Sequence, residues 1–480
     1  MEIGSSRPSG LDLSDAELER LFAEAALLAG REMAAIRDGP VFETAPVAEA
    51  VRAALDSDAP LPRDPEGPES VLGAALRALA AGRRSNPAFF GYVLSPSTAP
   101  AVAGDFLASA ADQNVTSWRS APAATVIERQ TLNWLSQFVG FGRGAAGLFV
   151  SGGSLANLTA LLIAVRSRSP ENVDRRTLCV YSSTEAHFSI DKAAAAIGIQ
   201  SRHVQTDAAL CLDLEGLEEA IGNDRARGLV PVCVVGSAGT TATGAVDSLA
   251  DIAGIARREQ LWFHVDGAYG APAAATAIAD SKFAGIDEAH SLAVDAHKWL
   301  YAPVDCGALL VRDPAASLGV FGPAGEYVRV LADATEEAFA FWDHGLELSR
   351  RSRALKLWLT FRYYGADRLA QAISEDIELA HLMARLVRGA EDLELLCEPS
   401  LSVCCFRHRP AGVEEGALQD HNERLLAELQ HDGRVYLSNV SVRGRFGLRA
   451  CITNFRTTPA DVTRAVELVR ELGSCACRRS

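Results

Sequence analysis

Two charged side chains stand where apolar, strand-like segments of this sequence end. The segment "LWFHVD" ends in Asp266, and "SLAVDAHKW" places Lys298 directly after a second apolar run. A charge at such a position is costly unless it reaches solvent or has a partner. A partly desolvated lysine has a lowered pKa and can form an imine with an aldehyde, while a carboxylate can pair with a cation. A lysine that extends to solvent and an aspartate that caps a turn also explain the two positions.

A glycine-rich turn and a histidine follow two other apolar segments. "SGGSLANL", which begins at Ser151, opens a helix, and Gly152 and Gly153 allow the backbone to approach an anion at the positive end of that helix. The turn therefore suits a phosphate, although a plain capping turn also fits. It is neither a P-loop nor GxGxxG, so neither a triphosphate nor a dinucleotide is indicated. In "YSSTEAHFS", the flat ring of His187 can stack on another ring or have a structural role only.

One cofactor satisfies all four features. Pyridoxal 5′-phosphate has a phosphate for the glycine turn, a ring for His187, a ring nitrogen for Asp266 and an aldehyde for Lys298. Asp266 would keep the nitrogen protonated, so that the ring withdraws electrons from a carbanion. Ala268 is small, which leaves space for a bulky group beside the chain. We therefore predict pyridoxal phosphate as the cofactor and expect no metal.

The elements that position these residues alternate along the chain. From about residue 145, short apolar segments alternate with helical ones, which predicts an α/β fold with a largely parallel sheet covered on both faces. Ligands of such sheets bind at the carboxyl ends of the strands, where the four features lie. We predict a helical N-terminal segment over 1–85 with little core of its own, a large cofactor-binding domain over 86–372 and a smaller α+β domain over 373–480.

The composition excludes several classes of protein. The chain has 480 residues, of which 48% are hydrophobic and 22% charged, as in ordinary globular proteins. A net charge of −15 argues against a general binder of nucleic acid or anionic membranes. No apolar run reaches the roughly 18 residues of a membrane span, and the polar, acidic N-terminus is unlike a signal peptide. Because several of the ten cysteines lie in apolar segments, we expect buried thiols and a cytoplasmic protein.

The sequence resembles the group II pyridoxal-phosphate-dependent amino acid decarboxylases of the aromatic-L-amino-acid decarboxylase type. These belong to the fold type I, aspartate aminotransferase-like superfamily. The matching stretches, spread over roughly residues 70–470, are "SGGSLANLTAL", "YSSTEAHFSIDKAAAAIG", "HVDGAYG", "DAHKWL" and "SRRSRALKLWLTFRYYG". The resemblance implies a mostly parallel seven-stranded sheet and decarboxylation of an L-amino acid to an amine and CO₂. It also implies a homodimer with active sites at the interface, in which the N-terminal helices pack on the partner.

The same resemblance implies roles for individual residues. Lys298 would carry the internal aldimine, Asp266 would pair with the pyridine nitrogen, and His187 would stack on the ring and assist catalysis. Further contacts with the cofactor or substrate are implied for the glycine turn and for two polar positions: Ser151, Gly152, Gly153, Thr241 and His297.

The reaction is expected to depend on Tyr327, in "GPAGEYVRVL". Relatives that are decarboxylases carry a tyrosine at this position, on a mobile loop, whereas relatives with phenylalanine tend to be aldehyde synthases. A phenol on a closing loop can protonate the Cα carbanion of the quinonoid and exclude water and oxygen. We predict decarboxylation. An aldehyde synthase, an aminotransferase, a cysteine desulfurase-like enzyme and a non-catalytic carrier of the cofactor remain alternatives.

Substrate specificity is expected to reside in residues 86–98 and 112–123. The candidate pocket residues are Phe89, Tyr92, Val93, Asn114, Thr116 and Trp118. The resemblance aligns Val93 and Thr116 with phenylalanines of the aromatic-specific relatives, which indicates a roomier or more polar pocket. We predict an aromatic or other bulky L-amino acid as the substrate.

Overall fold

The computed structural model describes residues 11, 13–37, 39, 41, 51, 59–80, 82, 85–322 and 336–477. Its α-helices, in chain order, are α1 (Asp15–Ala35), α2 (Pro68–Ala80), α3 (Ala99–Ala111), α4 (Pro122–Phe138), α5 (Gly153–Arg168), α6 (Ser189–Ile197), α7 (Leu214–Ala226), α8 (Leu249–Arg258), α9 (Ala296–Trp299), α10 (Pro314–Phe321), α11 (Ala354–Tyr364), α12 (Ala366–Arg388), α13 (Leu418–Asp432) and α14 (Pro459–Cys477). Its strands are β1 (Ala146–Val150), β2 (Leu178–Ser183), β3 (Gln200–Val204), β4 (Val230–Ser237), β5 (Trp262–Asp266), β6 (Ser291–Asp295), β7 (Gly307–Val311), β8 (Leu393–Cys397), β9 (Val403–His408), β10 (Ser438–Val442) and β11 (Arg445–Cys451). Within this part of the chain, every helix is too short or too polar to cross a membrane.

Seven strands form the larger sheet, in the order β1-β7-β6-β5-β4-β2-β3. Strands β3, β2, β4, β5 and β6 run parallel to one another, and β7 is antiparallel to both β6 and β1. Strands β2, β5, β6 and β7 are buried along their whole length, which explains why their sequences are mainly apolar and do not alternate between apolar and polar residues. The predicted α/β fold with a mostly parallel seven-stranded sheet is confirmed.

The register of the central strands places their carboxyl ends at one edge. Ser237, the last residue of β4, lies opposite Asp266, the last residue of β5, and Asp266 lies opposite Ala293 of β6. Parallel strands bind ligands at this edge, because the connections that leave it are free to diverge from the sheet. The segments that follow β1, β2, β4, β5 and β6 are therefore brought close together.

A smaller antiparallel sheet, β10-β11-β9-β8, forms with α12, α13 and α14 a second hydrophobic core. The predicted C-terminal α+β unit is thus present. Helix α12 contacts both cores: Leu369 and Ile373 pack in the core of the large sheet, and Met383 and Val387 pack in the second core. The predicted boundary between 372 and 373 falls inside this helix, and the domain boundaries stay predictions.

The N-terminal helices bury no side chain of their own. Neither α1 nor α2 contains a buried residue, and Phe22 and Leu79 are exposed apolar side chains on them. Helical spacing in the sequence predicts helices over 13–38, 46–56 and near 69–82. The first and the third correspond to α1 and α2, with slightly different bounds. The expected helix over 46–56 lies, except for residue 51, outside the described residues. This segment therefore has no hydrophobic core in the described part of the chain.

Candidate active site

A cavity of about 370 Å³ opens at the carboxyl edge of the large sheet. Its walls come from the first turn of α5, the β2–α6 connection, the ends of β4, β5 and β6, and α9. All nine residues predicted to contact the cofactor line it: Ser151, Gly152, Gly153, His187, Thr241, Asp266, Ala268, His297 and Lys298. Ser151 and Lys298, which are 147 positions apart in sequence, are thus brought together by the order of the strands. The described residues contain no cluster of three or more acidic, histidine or cysteine side chains that could hold a metal ion.

Lys298 is held inside this cavity by an ion pair. It lies in the short helix α9 directly after β6, and its Nζ is 3.1 Å from Oδ2 of Asp295. The Lys298 side chain is 24% exposed and that of Asp295 only 3%. The amine therefore does not simply extend to solvent. Asp295 was not anticipated from the sequence, although it ends an apolar strand in the same way as Asp266.

Asp266 accepts two hydrogen bonds at the end of β5. Its Oδ1 accepts the backbone N–H of Ala268 at 3.2 Å, and its Oδ2 accepts an N–H of the Asn157 side chain at 2.9 Å. A buried carboxylate with donors on both oxygens is stabilised as an anion and can pair with a cation in the cavity. Asn157, from α5, was also missed, because the sequence offers no local signal for a contact across 109 positions.

The glycine turn has no space for a side chain at its second glycine. A Cβ on Gly153 would lie 2.8 Å from the Cβ of Ala268 and 3.0 Å from Oδ2 of Asp295. A Cβ on Gly152 would meet its nearest neighbour, in His297, at 3.4 Å. Gly153 is the first residue of the 16-residue helix α5, whose N-terminus attracts anions. The turn therefore fits a phosphate held by backbone groups.

Two neutral imidazoles complete the cavity wall. Burial lowers the pKa of His187, and the carboxylate of Asp266 offsets this only in part. Burial likewise lowers the pKa of His297, whose Nδ1 accepts the backbone N–H of Cys306 at 3.1 Å. Nδ1 of His187 lies 2.8 Å from Oγ of Ser189. The cavity thus combines an amine, a paired carboxylate, a helix N-terminus and imidazole rings, the groups that pyridoxal phosphate requires.

The predicted substrate-pocket residues lie elsewhere in the single chain. None of these six lines the cavity that contains Lys298: Phe89, Tyr92, Val93, Asn114, Thr116 and Trp118. Phe89 is buried and stacks on the ring of Tyr436, with centroids 4.9 Å apart, and the hydroxyls of Tyr92 and Tyr436 are 3.2 Å apart. Asn114 accepts the backbone N–H of Arg350. Their role in specificity stays a prediction.

Tyr327 lies outside the described residues, between α10 and the segment that begins at residue 336. The structure therefore gives no position for it, and its catalytic role stays a prediction.

The fold and the cavity define a pyridoxal-phosphate enzyme of fold type I. The family model described as "Pyridoxal-dependent decarboxylase conserved domain" matches residues 50–409. The chain is 34% identical over 468 residues to an aromatic-L-amino-acid decarboxylase of Bacillus atrophaeus, which covers 96% of each protein. It therefore belongs to the pyridoxal-dependent decarboxylases, carboxy-lyases that act on amino acids with pyridoxal phosphate as cofactor.

Two solved structures are similar over almost the whole chain. The crystal structure of Oryza sativa TDC with PLP and tryptamine superposes with a TM-score of 0.90 at 27% identity, and the match covers 98% of this chain and 99% of that chain. The crystal structure of Rhodiola rosea 4-hydroxyphenylacetaldehyde synthase superposes with a TM-score of 0.87 at 26% identity, over 96% and 99% of the two chains. The same fold therefore occurs with two reaction outcomes.

Proposed function

We propose that this enzyme decarboxylates an aromatic or other bulky L-amino acid to the corresponding amine and CO₂, with Lys298 as the cofactor-binding lysine. The observation that carries the proposal is the meeting of Lys298, Asp266 and the glycine turn in one cavity. The resemblance to an aromatic-L-amino-acid decarboxylase over 96% of the chain supports the substrate class.

Different residues of the cavity would bind different parts of the cofactor. Lys298 would bind its aldehyde, Asp266 its ring nitrogen, and the turn at 151–153 its phosphate. When bound, pyridoxal phosphate supplies a cationic ring that accepts electron density from the carbon that loses CO₂. Asp266 would keep a proton on the ring nitrogen, because its carboxylate accepts one N–H donor on each oxygen and can pair with a cation in the cavity. Asp295 holds the Lys298 amine in the cavity.

The remaining catalytic roles fall to His187 and Tyr327. His187 lines the cavity, and burial lowers its pKa and favours the neutral imidazole. Its ring would stack on the cofactor ring and assist catalysis. Tyr327, on the mobile loop that the resemblance implies, would protonate Cα and exclude water and oxygen. Thr241 and His297, which also line the cavity, would help to hold the cofactor or the substrate.

The second candidate function is that of an aldehyde synthase. It is favoured by the likeness to the Rhodiola rosea synthase, whose fold is nearly the same. The presence of tyrosine at position 327 favours the decarboxylase, because a proton donor at Cα shortens the time in which oxygen can react there. An aminotransferase would release no CO₂.

We propose further that the enzyme is a homodimer with active sites at the interface. The six candidate pocket residues lie away from the cavity of their own chain, and the two N-terminal helices bury no side chain. Both observations are accounted for if 1–85 packs on a partner and the pocket segments reach the partner's cavity. In this arrangement 86–372 holds the cofactor and 373–480 forms the smaller domain. A cytoplasmic location is supported by the cysteines, because the eight whose side chains are described are free thiols.

The function is tested by incubating the purified holoenzyme with the twenty L-amino acids and non-proteinogenic analogues. Amine, CO₂, aldehyde and hydrogen peroxide are measured in parallel. We expect equal amounts of amine and CO₂ with an aromatic or bulky substrate, and no peroxide. Aldehyde, ammonia and peroxide as main products would refute the decarboxylase and support the synthase.

Two variants test the assigned residues. Lys298→Ala is expected to lose all activity and the characteristic absorbance of lysine-bound cofactor. Tyr327→Phe is expected to convert part of the turnover to aldehyde and peroxide. Decarboxylation at the wild-type rate by Lys298→Ala, or an unchanged product ratio in Tyr327→Phe, would contradict the corresponding role.

A further inference from the structure

A continuous chain of hydrogen-bonded side chains, most of them buried, runs along the cavity wall from β5 to His187. His264 Nδ1 lies 2.8 Å from Ser291 Oγ, and His264 Nε2 lies 2.9 Å from Asn157 Oδ1. The amide nitrogen of Asn157 is 2.9 Å from both Asp266 Oδ2 and Ser189 Oγ. Ser189 Oγ in turn lies 2.8 Å from His187 Nδ1. Asn157 is therefore the branch point between the carboxylate of Asp266 and the imidazole of His187.

The direction of each hydrogen bond on the His264 side follows from Asp266. A carboxylate can only accept, so the NH₂ group of Asn157 must face it and the amide oxygen must face His264. Nε2 of His264 therefore carries the proton. Full burial lowers the pKa of His264 to about 4, so its Nδ1 is bare and accepts the hydroxyl of Ser291. Ser291 itself accepts the indole N–H of Trp262 at 2.8 Å, so no donor in this branch lacks an acceptor.

The second branch sets the protonation of His187. The second N–H of the Asn157 amide is donated to Ser189 Oγ, which turns the hydroxyl hydrogen of Ser189 away from Asn157. The backbone N–H of Ser189, which can only donate, also approaches Nδ1 of His187 at 3.3 Å. Nδ1 thus has two donors from one residue and must be the bare nitrogen. A neutral His187 then carries its proton on Nε2.

We propose that Asn157 and Ser189 are positioning residues that hold His187 as the Nε2–H tautomer and couple its orientation to Asp266. His187 then presents Nε2–H to the cavity as a hydrogen-bond donor and cannot act there as an acceptor. The side-chain amide of Asn157 contacts Asp266 directly and His187 through Ser189, so a displacement of Asp266 is transmitted to His187. The catalytic consequence rests on the proposed function of His187, whereas the tautomer assignment does not.

The tautomer is read directly by ¹⁵N NMR of holoenzyme labelled in its histidines. The long-range proton–nitrogen spectrum distinguishes a protonated ring nitrogen from a bare one, and His187→Gln identifies the signals of His187. We expect Nε2 protonated and Nδ1 bare in the wild type. A proton on Nδ1 would overturn the proposal. The same spectrum of the apoenzyme gives a readout that is independent of turnover.

Ser189→Ala removes the hydroxyl donor at 2.8 Å and leaves Nδ1 only the longer contact from the backbone N–H at 3.3 Å. A mixture of the two tautomers is therefore expected. One lost hydrogen bond corresponds to a kcat lower by up to about tenfold with KM within about twofold. Asn157→Ala is also expected to shift the ¹⁵N signals of His187. Ser189→Thr keeps a hydroxyl at this position and should therefore give the wild-type signals of His187. Unchanged His187 signals in Ser189→Ala would overturn the proposal, and unchanged signals in Asn157→Ala would remove Asn157 from it.

The matched control is Ser182→Ala. Ser182 is a buried serine on the strand that leads to His187, and its hydroxyl makes no hydrogen bond to any described residue. Wild-type signals and kcat are expected for this variant, and a His187 shift equal to that in Ser189→Ala would overturn the proposal. If His187→Gln keeps full activity while the wild-type tautomer is as expected, the proposed catalytic role of His187 fails and the tautomer assignment stands.

Discussion

Replacement of Asp266 by asparagine removes one oxygen acceptor and one negative charge from the cavity and leaves the shape almost unchanged. The carboxylate accepts N–H donors on both oxygens, from Ala268 and Asn157, and is only 9% exposed. An asparagine must direct its own NH₂ group at one of these donors. One buried donor therefore loses its acceptor, which costs about 1–3 kcal/mol of folding free energy.

The loss of charge acts separately, on the cofactor. A charge-assisted hydrogen bond contributes roughly 1.5–3 kcal/mol, so the Kd for pyridoxal phosphate should rise about 10- to 150-fold. At saturating cofactor, kcat should still fall by at least about tenfold, because the ring nitrogen no longer keeps its proton. Kd is measured by titrating the apoenzyme with cofactor and following absorbance, and the folding free energy by urea unfolding of the apoenzyme.

Asp247→Asn is the matched control. Asp247 is a buried carboxylate that accepts the backbone N–H groups of Leu212 and Ser237, each at 2.7 Å, but it does not line the cavity. Burial raises the pKa of Asp247 to about 6, so the comparison is made at pH 8, where it is ionised. A similar loss of stability without the loss of cofactor affinity is expected. Binding of the cofactor by Asp266→Asn within twofold of the wild type, or equally weakened binding by Asp247→Asn, would contradict the proposed role of Asp266.

Three further outcomes are expected. Arg350→Met should lower the free energy of unfolding in urea by about 3–5 kcal/mol, because it leaves the buried carboxylate of Glu128 without its ion-pair partner. A loss under about 1 kcal/mol would contradict this expectation. Burial raises the pKa of Asp376 to about 8, so the native state binds the extra proton and stability should fall as pH rises from about 4 to about 8. Asp376→Asn can still accept the hydrogen bonds from Trp299 and Tyr301, so it should reduce this decrease of stability with pH, as measured by thermal unfolding at several pH values. An unchanged dependence of stability on pH would exclude Asp376 as its source. Gly153→Ala should weaken cofactor binding more than Gly152→Ala, because only the Cβ at position 153 would lie within 2.8 Å of Ala268. Equal curves when the two apoenzymes are titrated with cofactor would contradict the tight fit at Gly153.

The elements of the large domain could be predicted closely from the sequence. The apolar segments "LWFHVD" and "SLAV" became β5 and β6, and the residues that follow each strand line the cavity. Lys298 belongs to a one-turn helix, which its sequence did not indicate. Helical spacing in the sequence predicts a helix over about 374–391, whereas α12 begins at Ala366. The additional first turns pack Leu369 and Ile373 in the core of the large sheet. Such boundaries depend on tertiary contacts, which the local pattern does not contain.

The sequence by itself determined the kinds of chemistry available: an amine, a carboxylate, a glycine turn and an imidazole, each at the end of an apolar segment. A short apolar run is recognised from neighbouring residues alone, so these positions could be found one segment at a time. Only the tertiary structure decided which polar groups support them. Asp295 pairs with Lys298, and Asn157 joins Asp266 to Ser189. Such contacts arise because the order of parallel strands brings distant segments to one edge, and no spacing along the chain records that order.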